Sequence, residues 1–427
     1  MINRRVVITG LGVVAPNSVG VTNFTNAIKN GKSGITFQQK LRSLNFRCQV
    51  AGVPPLTDQQ ISEFCQEHKL KKLQSTGILY GCMAGIEAWA DARLPIPAKD
   101  EDPDGESGCI FGSGMTGMEP ISSSIPLIDQ GLCRKMGGRI VQQVMSSGIS
   151  AYLGGLLGLG NQVTTNSSAC ATGTEATIMA FERIKMGWAS RMLVGGCDSC
   201  SEYVWGGFDA MRVLTNEYHD EPEKASRPMS ATAVGFVPGA GSGGLVLEEL
   251  ESARARGAKI YAELLGGAIN SGGQRKSGSM TAPNTESVIQ CITTVLQRSS
   301  ISGHNVDAVS GHLTSTRADS LEIKALSEAL GRKHNNFPYI NSLKSMTGHC
   351  LSAAGAIENV AAVKQLEEGF FHASLNCEDL HPAIEAIVAR DKIPRSTLEN
   401  TRFRILLKTS FGFGDVNSCL VLKKWDE

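Results

Sequence analysis

Short β-branched runs alternate with helical patterns along nearly the whole chain, an order that points to a layered α/β architecture. The first run, Val6-Val7-Ile8-Thr9, ends at Gly10 and reads as a central strand buried on both faces. Comparable strands are expected at 107–111, 162–166, 192–194, 244–247, 260–264, 307–310, 339–341, 405–409 and 418–422. Helical patterns lie between them, for instance at 173–186 and 319–330. No tandem short-period repeat interrupts the alternation. The charged, polar segment 248–259 divides the chain into halves, 1–250 and 251–427, and 216–227 reads as a surface loop.

A chain of 427 residues, 41% of them hydrophobic, can bury a large core. Lysine plus arginine equal aspartate plus glutamate at 41 each, so bulk charge gives no reason to expect nucleic acid or a membrane surface as partner. The 47 glycines cluster in short runs, which suits tight strand-to-helix turns. Twelve cysteines without an N-terminal secretory signal read as reduced thiols in the cytoplasm rather than as a disulfide framework. Residues 140–174 carry no charge and could span a bilayer by length alone. Gln142, Gln143, Ser146, Ser147, Asn161, Gln162, Thr164 and Thr165 would each be desolvated there, so the stretch is expected inside protein, at a subunit interface.

Three motifs suggest other chemistry and fail on inspection. Gly10-Leu11-Gly12-Val13-Val14-Ala15 fits a dinucleotide fingerprint, yet no Asp or Glu precedes Asp58 to meet a ribose, and Pro16 interrupts the helix start. Gly31-Lys32-Ser33 resembles the end of a phosphate loop, but Asn26 stands where its first glycine belongs. Cys197-Asp198-Ser199-Cys200 has redox or metal spacing without a matching second pair, so buried thiols are the simpler reading and no metal is expected.

Cys170 differs. In Asn166-Ser167-Ser168-Ala169-Cys170-Ala171-Thr172-Gly173 a strand stops among small residues and a helix begins. A cysteine there faces unpaired amides and the positive end of the helix dipole, which is expected to lower its pKa. Its own amide can donate to an oxyanion formed on attack. His312, in Gly311-His312-Leu313-Thr314-Ser315-Thr316, and His349, in Lys344-Ser345-Met346-Thr347-Gly348-His349, each sit in a turn of small residues after an expected strand. Together the three suit thioester chemistry. In Ser410-Phe411-Gly412-Phe413-Gly414 the glycines allow movement, so Phe411 is expected to act as a gate and Phe413 to pack in the core.

These residues resemble the elongating β-ketoacyl carrier-protein synthases over essentially the whole chain. The resemblance rests on Arg4-Arg5-Val6-Val7-Ile8-Thr9-Gly10-Leu11-Gly12, the Cys170 elbow and Ala225-Ser226-Arg227-Pro228. It also rests on the two histidine motifs, Ala353-Ala354-Gly355-Ala356-Ile357-Glu358, and the closing phenylalanine run with Asn417. It implies a thiolase-like five-layered α/β/α/β/α fold of two pseudo-repeated halves, usually dimeric, and a triad of Cys170, His312 and His349. Cys170 would take an acyl group from a carrier-protein thioester, with the oxyanion held by the amides of Cys170 and Phe411. The histidines would support decarboxylation of malonyl carrier protein. Lys344, paired with Glu358, would organise them.

Thr314 and Thr316 fall where the family binds the phosphopantetheine arm, and Met115 where a side chain lines the acyl pocket. Lys69, Lys71, Lys72, Arg134, Lys135 and Arg227 lie in segments resembling the docking patch for an acidic acyl carrier protein. No cofactor is implied beyond the phosphopantetheine that carries the substrates. Leu313 and Asp415 stand where the family has glycine, and the acidic residues that often precede Gly-Phe-Val are absent from Thr232-Ala233-Val234. Leu313 is expected to narrow the pantetheine tunnel or shift its backbone, and Asp415 to place a charge near the gate. These departures point to a specialised polyketide, polyene or pigment pathway, as a homodimer or paired with a related non-identical subunit. The rival within the fold is a catalytically silent chain-length partner, against which the retained Cys170, His312 and His349 argue.

Overall fold

The computed structural model describes residues 4–426. Its framework strands are β1 (Val6–Ala15), β2 (Ser107–Ser113), β3 (Val163–Thr164), β4 (Arg191–Asp198), β5 (Gly241–Glu249), β6 (Ala262–Ser271), β7 (Ala308–Ser310), β8 (Tyr339–Asn341), β9 (Ile405–Gly412) and β10 (Val416–Lys424). The helices that cover them are α1 (Thr76–Asp91), α2 (Gly148–Leu157), α3 (Thr172–Lys185), α4 (Thr285–Arg298), α5 (Ala318–Leu330) and α6 (Ala354–Glu368).

Strand order runs β8-β7-β9-β10-β6-β1-β5-β4-β2-β3. In the first half β5 pairs antiparallel with β1 and β4, while β4, β2 and β3 pair in parallel. The second half repeats this: β10 pairs antiparallel with β6 and β9, while β9, β7 and β8 pair in parallel. One unit therefore occurs twice. The sheets of the two copies join where Val6, Val7 and Ile8 pair with Leu264, Glu263 and Ala262.

α3 and α6 pack on each other and against strands of both copies, forming a central layer. α1 and α2 pack over the first copy and α4 and α5 over the second, which gives five layers. α6 is buried on all sides from Ala354 to Leu366, as a helix between two sheets must be, and its buried polar residues include Glu358, which is paired with Lys344.

Several expectations are corrected. The Gly10-x-Gly12 motif lies inside β1 rather than at a strand-to-helix turn. Its glycines let α1 approach: a Cβ at Gly10 would lie 2.1 Å from the Ala88 carbonyl oxygen, and one at Gly12 2.0 Å from that of Ala84. The charge-free stretch is broken into a helix over Ile140–Val144, α2 and β3, and no helix among the described residues is long and apolar enough to cross a membrane. The 216–227 segment is mostly at the surface, but Ala225 and Ser226 are buried. All twelve cysteines are unpaired; Cys133 is exposed, Cys65 and Cys200 are half-buried, and the rest are buried.

Candidate active site

Cys170 stands just before α3, in a tight elbow. Ala169 before it has φ 49°, a left-handed conformation that costs a non-glycine residue about 1–2 kcal/mol. Local bonds hold the strain: Thr172 Oγ1 donates to the Ala169 carbonyl at 2.6 Å and accepts the Ser168 N–H at 2.8 Å. From the other copy, Gly412 at the end of β9 comes so close that a Cβ there would lie 2.6 Å from the Ser168 oxygen and 3.2 Å from the Cys170 nitrogen.

The elbow does not lower the thiol pKa on balance. Burial pushes Cys170 up to about 12, while Lys344 and the amides of Phe413 and Cys170 act in the opposite direction. The expected helix-end effect is outweighed by desolvation, and the empty site holds a thiol.

The segment around His312 follows β7 and turns at Ser315, whose φ is 65°. His312, Thr314 and Thr316 line the cavity in front of Cys170, whereas Leu313 is fully buried in the core of the second copy. Leu313 therefore does not narrow the entrance, contrary to expectation. The turn is fixed by Glu322 of α5, whose carboxylate accepts the N–H groups of His312 and Leu313, each at 2.8 Å. Asp319 does the same for Thr314 at 2.7 Å and Ser315 at 3.1 Å.

The His312 and His349 rings lie 5.4 Å apart, edge to face. Burial, reinforced by Lys344, holds both pKa values well below the ordinary histidine range, so both are neutral. The Leu351 N–H donates to His349 Nδ1 at 3.3 Å, which leaves the proton on Nε2. His312 Nδ1 has no partner among the described residues.

Beneath the histidines lies a buried charge cluster. Lys344 Nζ contacts Glu358 Oε1 at 2.5 Å and donates to the His312 carbonyl at 2.6 Å. Lys408, which sequence reasoning missed, contacts Glu358 Oε2 at 2.8 Å and donates to the Ser410 hydroxyl at 3.1 Å. Ser410 in turn meets Thr174 of α3 at 2.8 Å, linking the cluster to the nucleophile's helix. Burial would raise the Glu358 pKa, but the two ammonium groups outweigh it and hold the carboxyl below its usual range. Lys408 was detectable in principle, since a lysine directly after Ile405-Leu406-Leu407 in a central strand needs a buried partner. Glu322 and Asp319, three residues apart after the first histidine motif, were likewise overlooked.

Both phenylalanines line the cavity, so Phe413 does not pack in the core as expected. The second amide at the Cys170 sulfur belongs to Phe413, and the Phe413 side chain lines the cavity. Phe411 is a buried member of β9, paired in register with Asn417, and its ring lies 5.8 Å from that of His312. β9 ends at Gly412, so strand alternation does not carry across to Phe413. Asp415 is also buried, at φ 61°. Its carboxylate accepts the Gln274 and Asn284 N–H groups at 3.0 and 2.8 Å, so it ties down the 272–284 loop instead of charging the gate.

These groups face one cavity of about 710 Å³, lined by Cys170, His312, His349, Phe411 and Phe413 at its inner end. Thr314 and Thr316 lie on its wall with their hydroxyls 2.9 Å apart. Met115 is 37% exposed and does not line this cavity. Arg227 stands outside it as well, its guanidinium bound to Asp379 at 3.1 Å and Glu378 at 3.3 Å. Lys69, Lys71, Lys72, Arg134 and Lys135 are exposed.

A duplicated α/β unit thus brings a cysteine elbow and two histidines to one cavity. The model of the β-ketoacyl synthase N-terminal domain matches residues 3–253, and that of the C-terminal domain residues 261–378. The chain is 34% identical over 436 residues to a putative mitochondrial 3-oxoacyl-[acyl-carrier-protein] synthase of Schizosaccharomyces pombe, with 99% of each covered. It is 33% identical over 428 residues to 3-oxoacyl-[acyl-carrier-protein] synthase 1 of Escherichia coli K12, again with 99% of each covered. A solved type II polyketide ketosynthase, in complex with its acyl carrier protein, superposes with a TM-score of 0.87 at 29% identity, covering 99% of this chain and 100% of that one. The chain belongs to the β-ketoacyl synthase family of acyltransferase-type condensing enzymes.

Proposed function

We propose that the protein condenses an acyl group held on Cys170 with malonyl carrier protein, releasing carbon dioxide and a β-ketoacyl carrier protein. The observation that carries this is the meeting of one thiol and two neutral imidazoles at the end of a single cavity. Cys170 attacks the incoming thioester, and the oxyanion is met by the amides of Cys170 and Phe413. The arm's sulfur departs with the Cys170 proton. In the second half-reaction the malonyl thioester oxygen takes hydrogen bonds from His349 Nε2–H and from His312. Carbon dioxide leaves, the enolate carbon attacks the acyl-Cys170 carbonyl, and the adduct collapses by breaking the bond to the Cys170 sulfur, which leaves as thiolate and is reprotonated. Lys344, Lys408 and Glu358 hold the histidines' surroundings and do not touch the reacting atoms.

The cavity suits a phosphopantetheine arm along Thr314 and Thr316, delivered by an acyl carrier protein docking on the exposed Lys69, Lys71, Lys72, Arg134 and Lys135; no other cofactor is needed. A dimer fits the surface. The helix Met118–Asp129 exposes Ile121, Ile125 and Ile128 along one stripe, at 38%, 51% and 51%. The two half-chains 1–250 and 251–427 would serve as nucleophile-bearing and histidine-bearing halves, and the twelve unpaired thiols suit the cytoplasm. The specialised polyketide or polyene pathway now rests on the uncharged Thr232-Ala233-Val234, because Leu313 does not reach the cavity and the Asp415 carboxylate is taken up by the 272–284 loop.

Intact mass after incubation with a panel of acyl carrier proteins tests the reading. Acylation that disappears in Cys170→Ala, followed by carbon dioxide release and a β-ketoacyl product on adding malonyl carrier protein, is expected. No acylation from any donor, with or without a partner subunit, would shift the assignment to a silent chain-length partner. Full-cycle fatty-acid elongation by this protein alone would sink the specialised pathway.

A further inference from the structure

Asp198, in the Cys197-Asp198-Ser199-Cys200 run whose metal and redox readings fail, is a buried carboxylate that the reaction above leaves unused. It ends β4 with 1% of its surface exposed and has no ion-pair partner among the described residues. Burial pushes its pKa up to about 6, against the bonds it accepts from Ser352 and Ser199 and with a further push from Glu119. A carboxyl kept there bears a desolvation cost that an apolar side chain would avoid.

Its bonds reach across to the other copy. Oδ2 accepts the Ser352 hydroxyl at 2.7 Å and the Ser352 N–H at 3.2 Å, while Oδ1 accepts the Ser199 N–H at 3.0 Å. Ser352 follows Leu351, whose φ of 50° is strained in a non-glycine residue and whose N–H donates to His349 Nδ1. The His349 backbone is anchored separately: its N–H donates to the Val237 carbonyl at 2.7 Å and its carbonyl accepts the Gly239 N–H at 2.9 Å. For the ring, the Leu351 N–H is the one hydrogen-bond partner among the described residues. Releasing Ser352 would therefore let Leu351 relax and turn its N–H away from the imidazole, with the His349 backbone still in place.

We propose that Asp198 is a positioning residue for His349: by holding Ser352 it keeps the Leu351 N–H on Nδ1 and the imidazole proton on Nε2, facing the malonyl thioester oxygen. This rests on the reading of His349 as a donor in the decarboxylating half-reaction. On Cys170 the same carboxylate acts in the opposite sense, since its negative charge disfavours the thiolate. Asp198 thus favours one half-reaction and holds back the other, which a purely structural residue does not do.

Asp198→Ala separates the two half-reactions when Cys170 acylation, followed by rapid-quench mass spectrometry, and carbon dioxide release from malonyl carrier protein are timed independently. Carbon dioxide release slows about tenfold, while acylation is as fast as in the wild type or faster. Nitrogen-15 spectra of histidine-labelled protein, with the His349 signals assigned by their loss in His349→Gln, read the ring without any turnover. The wild type shows the Nε2–H tautomer, and Asp198→Ala gains the Nδ1–H form. Asp198→Asn has the same shape but one acceptor oxygen in place of two, so it shows the same split to a smaller degree and keeps the test open should the alanine variant not fold. Both half-reactions slowed alike, or an unchanged His349 tautomer in a folded variant, overturn the positioning role. A wild type that neither acylates nor releases carbon dioxide, with the tautomer responding as expected, overturns the functional reading and leaves the control of His349 by Asp198 standing.

Discussion

Replacing Lys408 with methionine separates the buried cluster's role in stability from its role in tuning the histidines. Lys408 Nζ lies 2.8 Å from Glu358 Oε2 with both side chains essentially inaccessible. At that separation the attraction is about 6 kcal/mol for an effective dielectric constant of about 20. Recovered desolvation of the ammonium offsets part of it, and Glu358 keeps Lys344 at 2.5 Å, so the net destabilisation falls at the low end for a broken buried pair, about 3 kcal/mol. The electrostatic effect has a definite sign. Lys408 is one of the charges that hold His312 and His349 neutral, the others being Lys344 and, for His312, the facing His349. Removing it raises both histidine pKa values, and because the neutral imidazoles carry the reaction, activity is lost at a higher pH on acidification. Urea unfolding gives the first quantity and the pH profile of carbon dioxide release from malonyl carrier protein the second. An acid limb that stays in place, or moves to lower pH, in a folded Lys408→Met variant would refute the electrostatic argument. Lys408→Arg, which keeps the charge, should keep the limb.

Gly412→Ala forces its Cβ to within 2.6 Å of the Ser168 oxygen and moves the elbow, so Cys170 acylation, followed by stopped-time mass spectrometry, should slow about 100-fold in a protein that still folds. Asp415→Ala leaves the Gln274 and Asn284 amides without their acceptor, at a cost of about 2 kcal/mol, and hydrogen exchange should speed up specifically over 272–284. Asp415→Gly loses the same bonds but relieves the φ of 61°, so it should recover about 1 kcal/mol of that cost in the same unfolding assay. Ile125→Asp, in the exposed stripe of the Met118–Asp129 helix, should convert a dimer to monomer in light scattering without unfolding the chain.

What the sequence disclosed followed from short-range rules. The strand periodicity located most of the framework, and an apolar Leu313 among polar neighbours already suggested a side chain turned into the core. Expecting Leu313 in the tunnel carried over the family position without weighing that apolar side chain. The placing of Phe413 had a different cause: β9 stops at Gly412, so strand alternation says nothing about the side chain that follows. Lys408 on β9 and Glu358 on α6 are 50 positions apart and meet only when the helix packs on the sheet, so their pairing could not be read from spacing. The fate of Asp415 depended on the 272–284 loop in the same way.

The duplication explains why chemistry arose at this place and on one copy only. Counting back from the start of each central helix, Ala169 and Leu351 occupy the same position, three before Thr172 and three before Ala354, and their φ values are 49° and 50°. Gly173 and Gly355, one residue inside each helix, form the crossing: a Cβ on the first would lie 2.5 Å from the Ala356 nitrogen and one on the second 2.8 Å from the Thr174 nitrogen. The strained elbow is thus a property of the repeated unit, and strain by itself does not mark the nucleophile. The position that answers to Cys170 in the second copy is Ser352, fully buried, with its hydroxyl bonded to Asp198 at 2.7 Å and to the Cys197 carbonyl at 2.7 Å. Cys170, in contrast, opens onto the cavity, and the second copy's segment leading to its elbow supplies His349 instead. Each copy gives the centre the end of one helix and the end of one strand; the two equivalent elbows differ in access, which under the proposed reaction leaves only Cys170 able to meet a substrate.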